Sequence, residues 1–173
     1  ADLVTANKGP LADSREMYTE LCDAGKGLIR AEATVGAGLP VMDTLDMLLQ
    51  SGDVVESIEG CFSGTLGYLM SRVESGVPLS KAVLEAVKLG YTEPDAAVDL
   101  SGQDVRRKAV ILARWAGWDL QPGQLLSEGF VKDVPMGSTT EALGAWLERR
   151  DADFESRLDG TAKREKCLRF VAT

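Results

Sequence analysis

Residues 90–108 read GYTEPDAAVDLSGQDVRRK and join an acidic turn to a predicted helix. Ser101 is a good N-cap for that helix. Asp104 and Lys108 are four residues apart, so on a helix their side chains share a face. Glu93 lies just upstream in a Thr-Glu-Pro-Asp turn. Acids and a lysine that meet from a loop and a helix face can bind an amino acid and move a proton beside it.

The same segment also has a purely structural interpretation. It carries four carboxylates, those of Glu93, Asp95, Asp99 and Asp104. These negative charges repel one another unless cations or an ammonium group compensate them. Asp104 can pair with Lys108 across one helical turn, which stabilises an exposed helix by about 0.3–0.5 kcal/mol. In the functional interpretation, Lys108 exchanges a proton with an alcohol or aldehyde oxygen.

Composition restricts the class of protein. The sequence has 173 residues, a formal net charge of −8 and 45% hydrophobic residues, which suits one domain with a core. Acids are spread along the chain without a basic stripe to pair with phosphates, which argues against nucleic-acid binding. No apolar run approaches the roughly 18 residues of a membrane span, and the N-terminus lacks a signal-peptide pattern. A cytoplasmic location is therefore expected by default.

The content of histidine and cysteine restricts the chemistry. The chain has no histidine, and its three cysteines are widely separated at Cys22, Cys61 and Cys167. No CxxC spacing occurs, so a transition-metal site is not expected. A general acid or base must therefore be Lys, Asp, Glu, Tyr or Cys.

Periodic apolar patterns predict an α/β (α+β) fold in which helices cover one mixed sheet. The predicted helices cover residues 14–24, 40–52, 65–75, 80–89, 101–116, 140–148 and 151–158. The predicted strands cover residues 3–6, 27–35, 54–62, 130–131 and 170–173. The first and last of these strands look cut, so a fragment of a longer protein is expected.

Two segments before residue 41 are candidate ligand contacts. Lys8 lies just past a predicted strand end, where open α/β sheets tend to bind ligands, although a solvated loop lysine is the alternative. Residues 32–40, EATVGAGLP, join a strand to a helix through two glycines. They lack both GxGxxG and the Walker lysine, so a tight turn and a ligand contact both stay open. A cation bound here would be held by main-chain carbonyls, which suit hard ions.

A second strand-to-helix corner reads Phe-Ser-Gly-Thr at residues 62–65. Ser63 or Thr65 is expected to cap the following helix with its hydroxyl. The main-chain amides of this corner can also hold a carboxylate at the helix N-terminus.

Four segments resemble homoserine dehydrogenase in content, order and spacing. They are VTANK at 4–8, EATVGAGLP at 32–40, GCFSGTLGY at 60–68 and GYTEPD…DLSGQDVRRK at 90–108. The resemblance covers residues 1–118, and beyond them the clearest similar piece is KCLRFV at 166–171. The family is an oxidoreductase that interconverts L-homoserine and L-aspartate 4-semialdehyde with NAD(P), in the aspartate-derived pathway to threonine and methionine.

The resemblance implies that residues 1–173 are the substrate-binding, catalytic and dimerisation domain of such an enzyme, and that it forms a homodimer. The family's N-terminal nucleotide-binding domain of Rossmann type is expected to be missing, so the chain alone would be inactive. The implied cofactor is NAD(P), with a sodium ion as a further ligand. The implied partners are homoserine or aspartate semialdehyde and the nucleotide-binding domain, and neither nucleic acid nor a membrane is expected.

The resemblance also implies roles for individual residues. Lys108 would be the proton donor and acceptor at the substrate oxygen, and Lys8 would lie between substrate and nicotinamide. Glu93 and Asp104 would hold the amino acid. The same pocket would be lined by Gly64, Thr65, Tyr91 and Asp99. A sodium-like ion would be held by the main-chain carbonyls of Glu32, Val35, Ala37 and Leu39.

This sequence departs from the family's usual pattern at residues 96–99, which read Ala-Ala-Val-Asp in place of Pro-Arg-Asp-Asp. Arg106 also replaces a residue that is usually small. The loss of one acid and one arginine favours a second hypothesis, a non-catalytic dimerisation or amino-acid-binding module of the same fold. A third hypothesis is a different semialdehyde dehydrogenase with a similar substrate domain.

Overall fold

Two short parallel strands, β1 (Leu3–Val4) and β2 (Ile29–Arg30), form the sheet of the described residues in the computed structural model. The structure describes residues 2–23, 27–162 and 169–173. Its helices are α1 (Gly9–Ala12), α2 (Arg15–Asp23), α3 (Val41–Gln50), α4 (Gly64–Glu74), α5 (Leu79–Leu89), α6 (Ala96–Leu100), α7 (Gln103–Trp115), α8 (Thr140–Glu148) and α9 (Asp151–Ala162). Short 3₁₀ helices cover Glu32–Thr34 and Pro122–Gln124. The predicted α/β class is confirmed.

The chain divides into two units, each with its own buried residues. The first consists of Ala1–Phe62, Val105–Ser127 and Ala172–Thr173, and the second of Ser63–Asp104 and Glu128–Val171. Helix α7 therefore begins in the second unit and contributes its residues from Val105 on to the first.

The first unit is built around the apolar run of α7. The segment from Val110 to Leu112 is at most 2% exposed and packs against α1 and α3. Helix α2 begins where the Ser14 hydroxyl accepts a hydrogen bond from the Met17 N–H at 3.1 Å, as expected of an N-cap. The core of this unit is formed by Leu11, Ala12, Ala31, Val35, Met42, Leu45, Val110, Ile111 and Leu112.

The second unit is a stack of helices in which α5 packs against α4, α8 and α9. Ser63 caps α4, because its hydroxyl accepts the Leu66 N–H at 3.1 Å. Asp151 joins α9 to the start of α5 by accepting hydrogen bonds from the main-chain N–H and the hydroxyl of Ser80. Gly90 ends α5 in the left-handed conformation with φ of 71°, which glycine adopts without strain and which turns the chain into the acidic segment.

The predicted helices are confirmed, with ends that differ by a few residues. Helix α6 was not predicted, because the side-chain cap that starts it lies within what looked like a loop. Asp95 Oδ1 accepts the Ala97 N–H at 3.0 Å and begins this helix.

Four predicted strands are corrected, and one of them, 170–173, keeps only the bridge residue Ala172. Residues 54–62, all of which the structure describes, contain no strand, and Gly60 makes a single antiparallel bridge with Ala172. An apolar run becomes a strand only where a neighbouring segment pairs with it through main-chain hydrogen bonds. Here only one bridge is formed. Residues 27–35 form only β2 and then the 3₁₀ helix, and 130–131 is a turn whose Val131 N–H donates to the Leu100 carbonyl.

Several predicted features fall outside the described residues. These are the helix end at Ala24, Cys167 and residues 166–168 of the KCLRFV segment. Among the helices that the structure describes, none has the length and apolar character needed to cross a bilayer.

Truncation of Leu69 should destabilise the second unit strongly, because this side chain on α4 is 1% exposed. We expect Leu69→Ala to lower the free energy of unfolding in urea by about 2–5 kcal/mol. Leu126 is a matched control, since it is 102% exposed, and Leu126→Ala should stay within about 0.5 kcal/mol of the parent. Equal losses for the two variants would contradict this packing.

Candidate functional site

Lys108 lies on α7 and is half-buried. Its Nζ donates a 2.7 Å hydrogen bond to the main-chain carbonyl of Phe62, within the first unit. A main-chain oxygen is a fixed acceptor, so this bond limits where the ammonium can point. A proton donor needs a defined position, and this hydrogen bond gives Lys108 one.

The main chain that holds Lys108 is itself fixed at residue 60. The N–H groups of Gly60 and Ala172 each donate to the other residue's carbonyl at 3.0 Å. A Cβ at Gly60 would lie 2.5 Å from Cε1 of the Phe62 ring, far inside van der Waals contact. Glycine is therefore required here if the Phe62 ring is to keep its place.

An apolar cavity of about 190 Å³ lies beside this segment within the first unit. It is lined by Ile58, Phe62, Ala109, Ala113, Trp118, Leu120, Leu125, Ala172 and Thr173. None of the predicted site residues is among them. A zwitterionic amino acid would lose its hydration against such walls, so this cavity is not suited to an amino-acid substrate.

Lys8 follows β1 and forms the N-cap of α1. Its carbonyl accepts hydrogen bonds from the N–H groups of Leu11 at 3.1 Å and Ala12 at 2.9 Å. The side chain of Asn7 accepts the Gly9 N–H at 3.0 Å. Lys8 is half-buried in this tight turn, which distinguishes it from an ordinary solvated lysine.

The glycine-rich segment turns sharply, with φ of 83° at Gly36 and 53° at Ala37. Glu32 has a role that was not predicted, since its carboxylate accepts the N–H groups of Met42 and Asp43 at 2.9 Å each. It therefore satisfies the first turn of α3, where a negative charge is stabilising.

The carbonyls predicted to hold a cation are partly engaged. Those of Glu32 and Leu39 accept hydrogen bonds from Val35 at 3.3 Å and Val41 at 2.8 Å. A carbonyl oxygen has two lone pairs, so such a bond does not remove it as a ligand. Among the described residues, no group of three or more Asp, Glu, Cys or His side chains is arranged to hold a metal. The sodium site of Glu32, Val35, Ala37 and Leu39 stays a prediction.

In the second unit, Asp99 organises the acidic segment. Its side chain is buried, and its carboxylate accepts the Glu93 N–H at 2.8 Å. The Thr65 hydroxyl donates to the Tyr91 carbonyl at 2.7 Å. Four of the predicted pocket residues, Thr65, Tyr91, Glu93 and Asp99, are thus brought together.

Burial raises the pKa of Asp99 above its usual value. The hydrogen bond from the Glu93 N–H and the neighbouring Thr65 hydroxyl oppose this rise, and the negative charges of Glu93 and Asp104 add to it. Asp99 was predicted to line a substrate pocket, and that role stays a prediction. Its hydrogen bond to the Glu93 N–H holds the loop on which Glu93 lies.

The remaining predicted residues differ in exposure. Glu93 and Gly64 are exposed, and Gly64 begins α4. Tyr91 is exposed and its ring contacts that of Tyr68 edge-to-face at 5.1 Å between centroids. Asp104 is buried in the first turn of α7, where the helix dipole favours a carboxylate.

Two features of the first unit were missed from the sequence. The Phe62 carbonyl is a main-chain group, so no residue type identifies it as the acceptor of Lys108. Arg107 pairs with Asp13 and Arg114 with main-chain carbonyls, at sequence separations near 100 residues. The seven-residue spacing of these arginines along a helix was the available indication that they share a face.

Known proteins match this chain along most of its length. A family model described as homoserine dehydrogenase matches residues 40–173. The bifunctional aspartokinase/homoserine dehydrogenase of Haemophilus influenzae is 42% identical over 98% of this chain and 21% of its own length. The homoserine dehydrogenase of Emericella nidulans is 38% identical over 99% of this chain and 50% of its own length. The chain thus spans between about a fifth and a half of these relatives.

Solved structures agree with these matches. A putative homoserine dehydrogenase from Archaeoglobus fulgidus superposes with a TM-score of 0.75 at 29% identity, over 98% of this chain and 47% of its own. A hyperthermophilic archaeal homoserine dehydrogenase in complex with NADPH superposes with a TM-score of 0.60 at 30% identity, over 66% of this chain and 36% of its own.

The raised pKa of Asp99 has a consequence for stability. Burial makes the protonated form of Asp99 the favoured one in the native state. The stability that this protonation contributes is fully present below the pKa of Asp99 in the unfolded chain. It is lost as pH rises through the pKa of Asp99 in the folded protein. The free energy of unfolding of wild type minus that of Asp99→Asn should therefore fall from below pH 3.8 to neutral pH. Urea unfolding at several pH values measures it.

Asp99→Ala provides the control for this titration. Neither alanine nor asparagine titrates, so the stability difference between these two variants should not change with pH. Alanine removes the acceptor of the partly buried Glu93 N–H and should cost about 1–3 kcal/mol relative to asparagine. A wild-type advantage that grows towards neutral pH would show that the pKa is lowered instead.

Proposed function

This chain belongs to the homoserine dehydrogenase family, and on that premise we propose that it supplies the catalytic and substrate-binding domain of an NAD(P)-dependent oxidoreductase. The reaction would interconvert L-homoserine and L-aspartate 4-semialdehyde, on the way to threonine and methionine. One observation carries this proposal. In a chain without histidine, Lys108 is half-buried on α7 and held at 2.7 Å by the Phe62 carbonyl.

Lys108 is the proposed general acid and base. In the direction of reduction, its ammonium gives a proton to the aldehyde oxygen as that oxygen becomes a hydroxyl. In the direction of oxidation, the neutral amine takes the hydroxyl proton of homoserine. The Phe62 carbonyl keeps Nζ of Lys108 in one place during both steps. A fixed position makes proton transfer from this group faster than proton transfer from water.

Glu93 and Asp104 are proposed to bind the α-ammonium group of the amino acid, since both are carboxylates. Thr65, Gly64 and Tyr91 would line the same pocket. The first N–H groups of the eleven-residue helix α4 suit the α-carboxylate, because a helix N-terminus attracts anions. Asp99 supports this arrangement through its bond to the Glu93 N–H.

NAD(P)H, when bound, supplies a hydride to the aldehyde carbon. Lys8 is the residue of this chain proposed to contact it, between substrate and nicotinamide. Its cationic side chain follows the carboxyl end of a parallel strand, which fits an anionic nucleotide. The archaeal relative solved with NADPH supports the choice of cofactor.

A sodium ion is proposed at the carbonyls of Glu32, Val35, Ala37 and Leu39. The positive φ values at Gly36 and Ala37 support it, because such a turn can aim successive carbonyls at one point. We also propose a homodimer, which the family resemblance supports, and a cytoplasmic location.

The departure at residues 96–99 does not favour the non-catalytic module over this proposal. Ala96 is 6% exposed and Ala97 is fully buried, so these two positions serve the packing of α6. Asp99, the acid that remains, makes the contact that holds Glu93.

Replacement of Lys108 in the complete protein that contains this chain tests its role. We expect Lys108→Ala to lower kcat by about 10²–10⁴ with little change in KM, because only a proton transfer is removed. Lys81→Ala, at an exposed lysine on α5, is the control and should leave kcat unchanged. Wild-type turnover in Lys108→Ala would refute the assignment.

Calorimetry with homoserine separates the enzyme from the non-catalytic scaffold. We expect the wild-type protein to bind homoserine, and Glu93→Gln or Asp104→Asn to weaken binding by about 10- to 150-fold, the value of one charged hydrogen bond. Glu141→Gln, at an exposed residue of α8, should bind as wild type does. Absence of heat with the wild-type protein would favour the scaffold.

A further inference from the structure

Two arginines on α7 hold helix α1 from the same side. Arg107 and Arg114 are seven residues apart, which is close to two turns of helix. Arg107 makes a two-pronged ion pair with Asp13, Nε to Oδ1 at 2.9 Å and Nη2 to Oδ2 at 3.1 Å. Asp13 is the C-cap of α1.

Arg114 hydrogen-bonds to the main chain at the same end of α1. Its Nη1 donates to the carbonyls of Leu11 at 2.7 Å and Ser14 at 3.2 Å, and its Nε donates to that of Leu120 at 3.3 Å. The side chain is 3% exposed, so these bonds compensate part of the cost of burying its charge, while Nη2 is buried without a hydrogen-bond partner among the described residues.

Helix α1 is so short that contacts at its C-terminal end also fix the position of Lys8 at its N-terminal end. It has four residues, and the Lys8 carbonyl accepts the N–H groups of Leu11 and Ala12. The Asp13 N–H closes the turn on the Gly9 carbonyl at 2.8 Å. One helical turn therefore connects Lys8 to the residue that Arg107 holds.

At the other end of the ion pair, Arg107 is next to Lys108 in the sequence of α7. Between the two arginines, Val110 and Ile111 lie in the same core as Leu11. Apolar contacts bring the two helices together, but they are not directional. The forked ion pair is directional, so it can fix how far one helix slides along the other.

We propose that the Asp13–Arg107 pair is a positioning element that sets the spacing between Lys8 and Lys108 during the proposed reaction. The inference rests on the proposed function, in which these lysines serve the nucleotide side and the substrate oxygen. The side chains of Arg107 and Asp13 are 37% and 52% exposed, so the pair contributes little to stability. A shift of about 1 Å in a reacting group can reduce a rate about 100-fold, so the same pair can matter greatly to turnover.

The test uses the complete protein and variants that keep the core intact. Arg107→Lys keeps the charge but loses the fork, and Asp13→Asn keeps the shape but loses the charge. We expect each to lower kcat by about 10-fold or more, with the KM for homoserine within about two-fold and the thermal midpoint nearly unchanged. The double exchange Asp13→Arg with Arg107→Asp should recover part of the lost kcat.

A matched control exists in the second unit. Arg72 pairs with Glu85 at 2.9 Å, with side chains 38% and 40% exposed. Arg72→Lys should therefore show the stability effect of losing a comparable pair without a change in kcat. The pH dependence of kcat should shift in Arg107→Lys and stay as wild type in Arg72→Lys.

The outcomes separate this proposal from the proposed function. If Lys108→Ala is inactive while Arg107→Lys and Asp13→Asn turn over as wild type does, the positioning role is wrong and the function stands. The role is also wrong if the double exchange recovers nothing, or if kcat falls only in step with the unfolded fraction. If Lys108→Ala is fully active, the proposed function itself fails.

Discussion

Helix α7 must bury an apolar face while it carries five charged side chains, those of Asp104, Arg106, Arg107, Lys108 and Arg114. A buried charge destabilises a fold unless hydrogen bonds or an opposite charge satisfy it. Arg114 donates to three main-chain carbonyls through Nε and Nη1, and Lys108 donates to a fourth at Phe62. The segments that supply these oxygens have to meet α7. This requirement explains how the first unit gathers parts of the chain about 100 residues apart.

The acidic segment has the opposite problem, since its carboxylates are close in sequence and repel one another. Main-chain N–H groups provide much of the compensation. Asp95 accepts those of Ala97 and Gly137, and Asp99 accepts that of Glu93. Asp99 is buried among negative neighbours, and its raised pKa follows from that position. The exposed residue Glu93 is thus held in place by the buried carboxylate of Asp99.

The helices were predictable because their caps and apolar periods are local. Ser14 and Ser63 both act as caps in the structure. The prediction of a strand at 54–62 was wrong, because strand pairing depends on a remote partner, and among these residues only Gly60 has one, at Ala172. For the site, the residue types at 93, 104 and 108 predicted the chemistry that we propose. The Phe62 carbonyl and the Asp13–Arg107 pair have no local pattern and emerge only from the fold.

The departure at residues 96–98 illustrates how far a motif can change while the hydrogen bonds around it are kept. Ala96 and Ala97 are buried in the short helix α6, so their size matters more than their chemistry. Helix α6 begins at the Asp95 cap and carries Asp99 near its end, at the position from which it reaches the Glu93 N–H. A change at 96 or 97 is compatible with the loop as long as α6 still forms. The side chains that cannot change without moving Glu93 are therefore the cap and the anchor, Asp95 and Asp99.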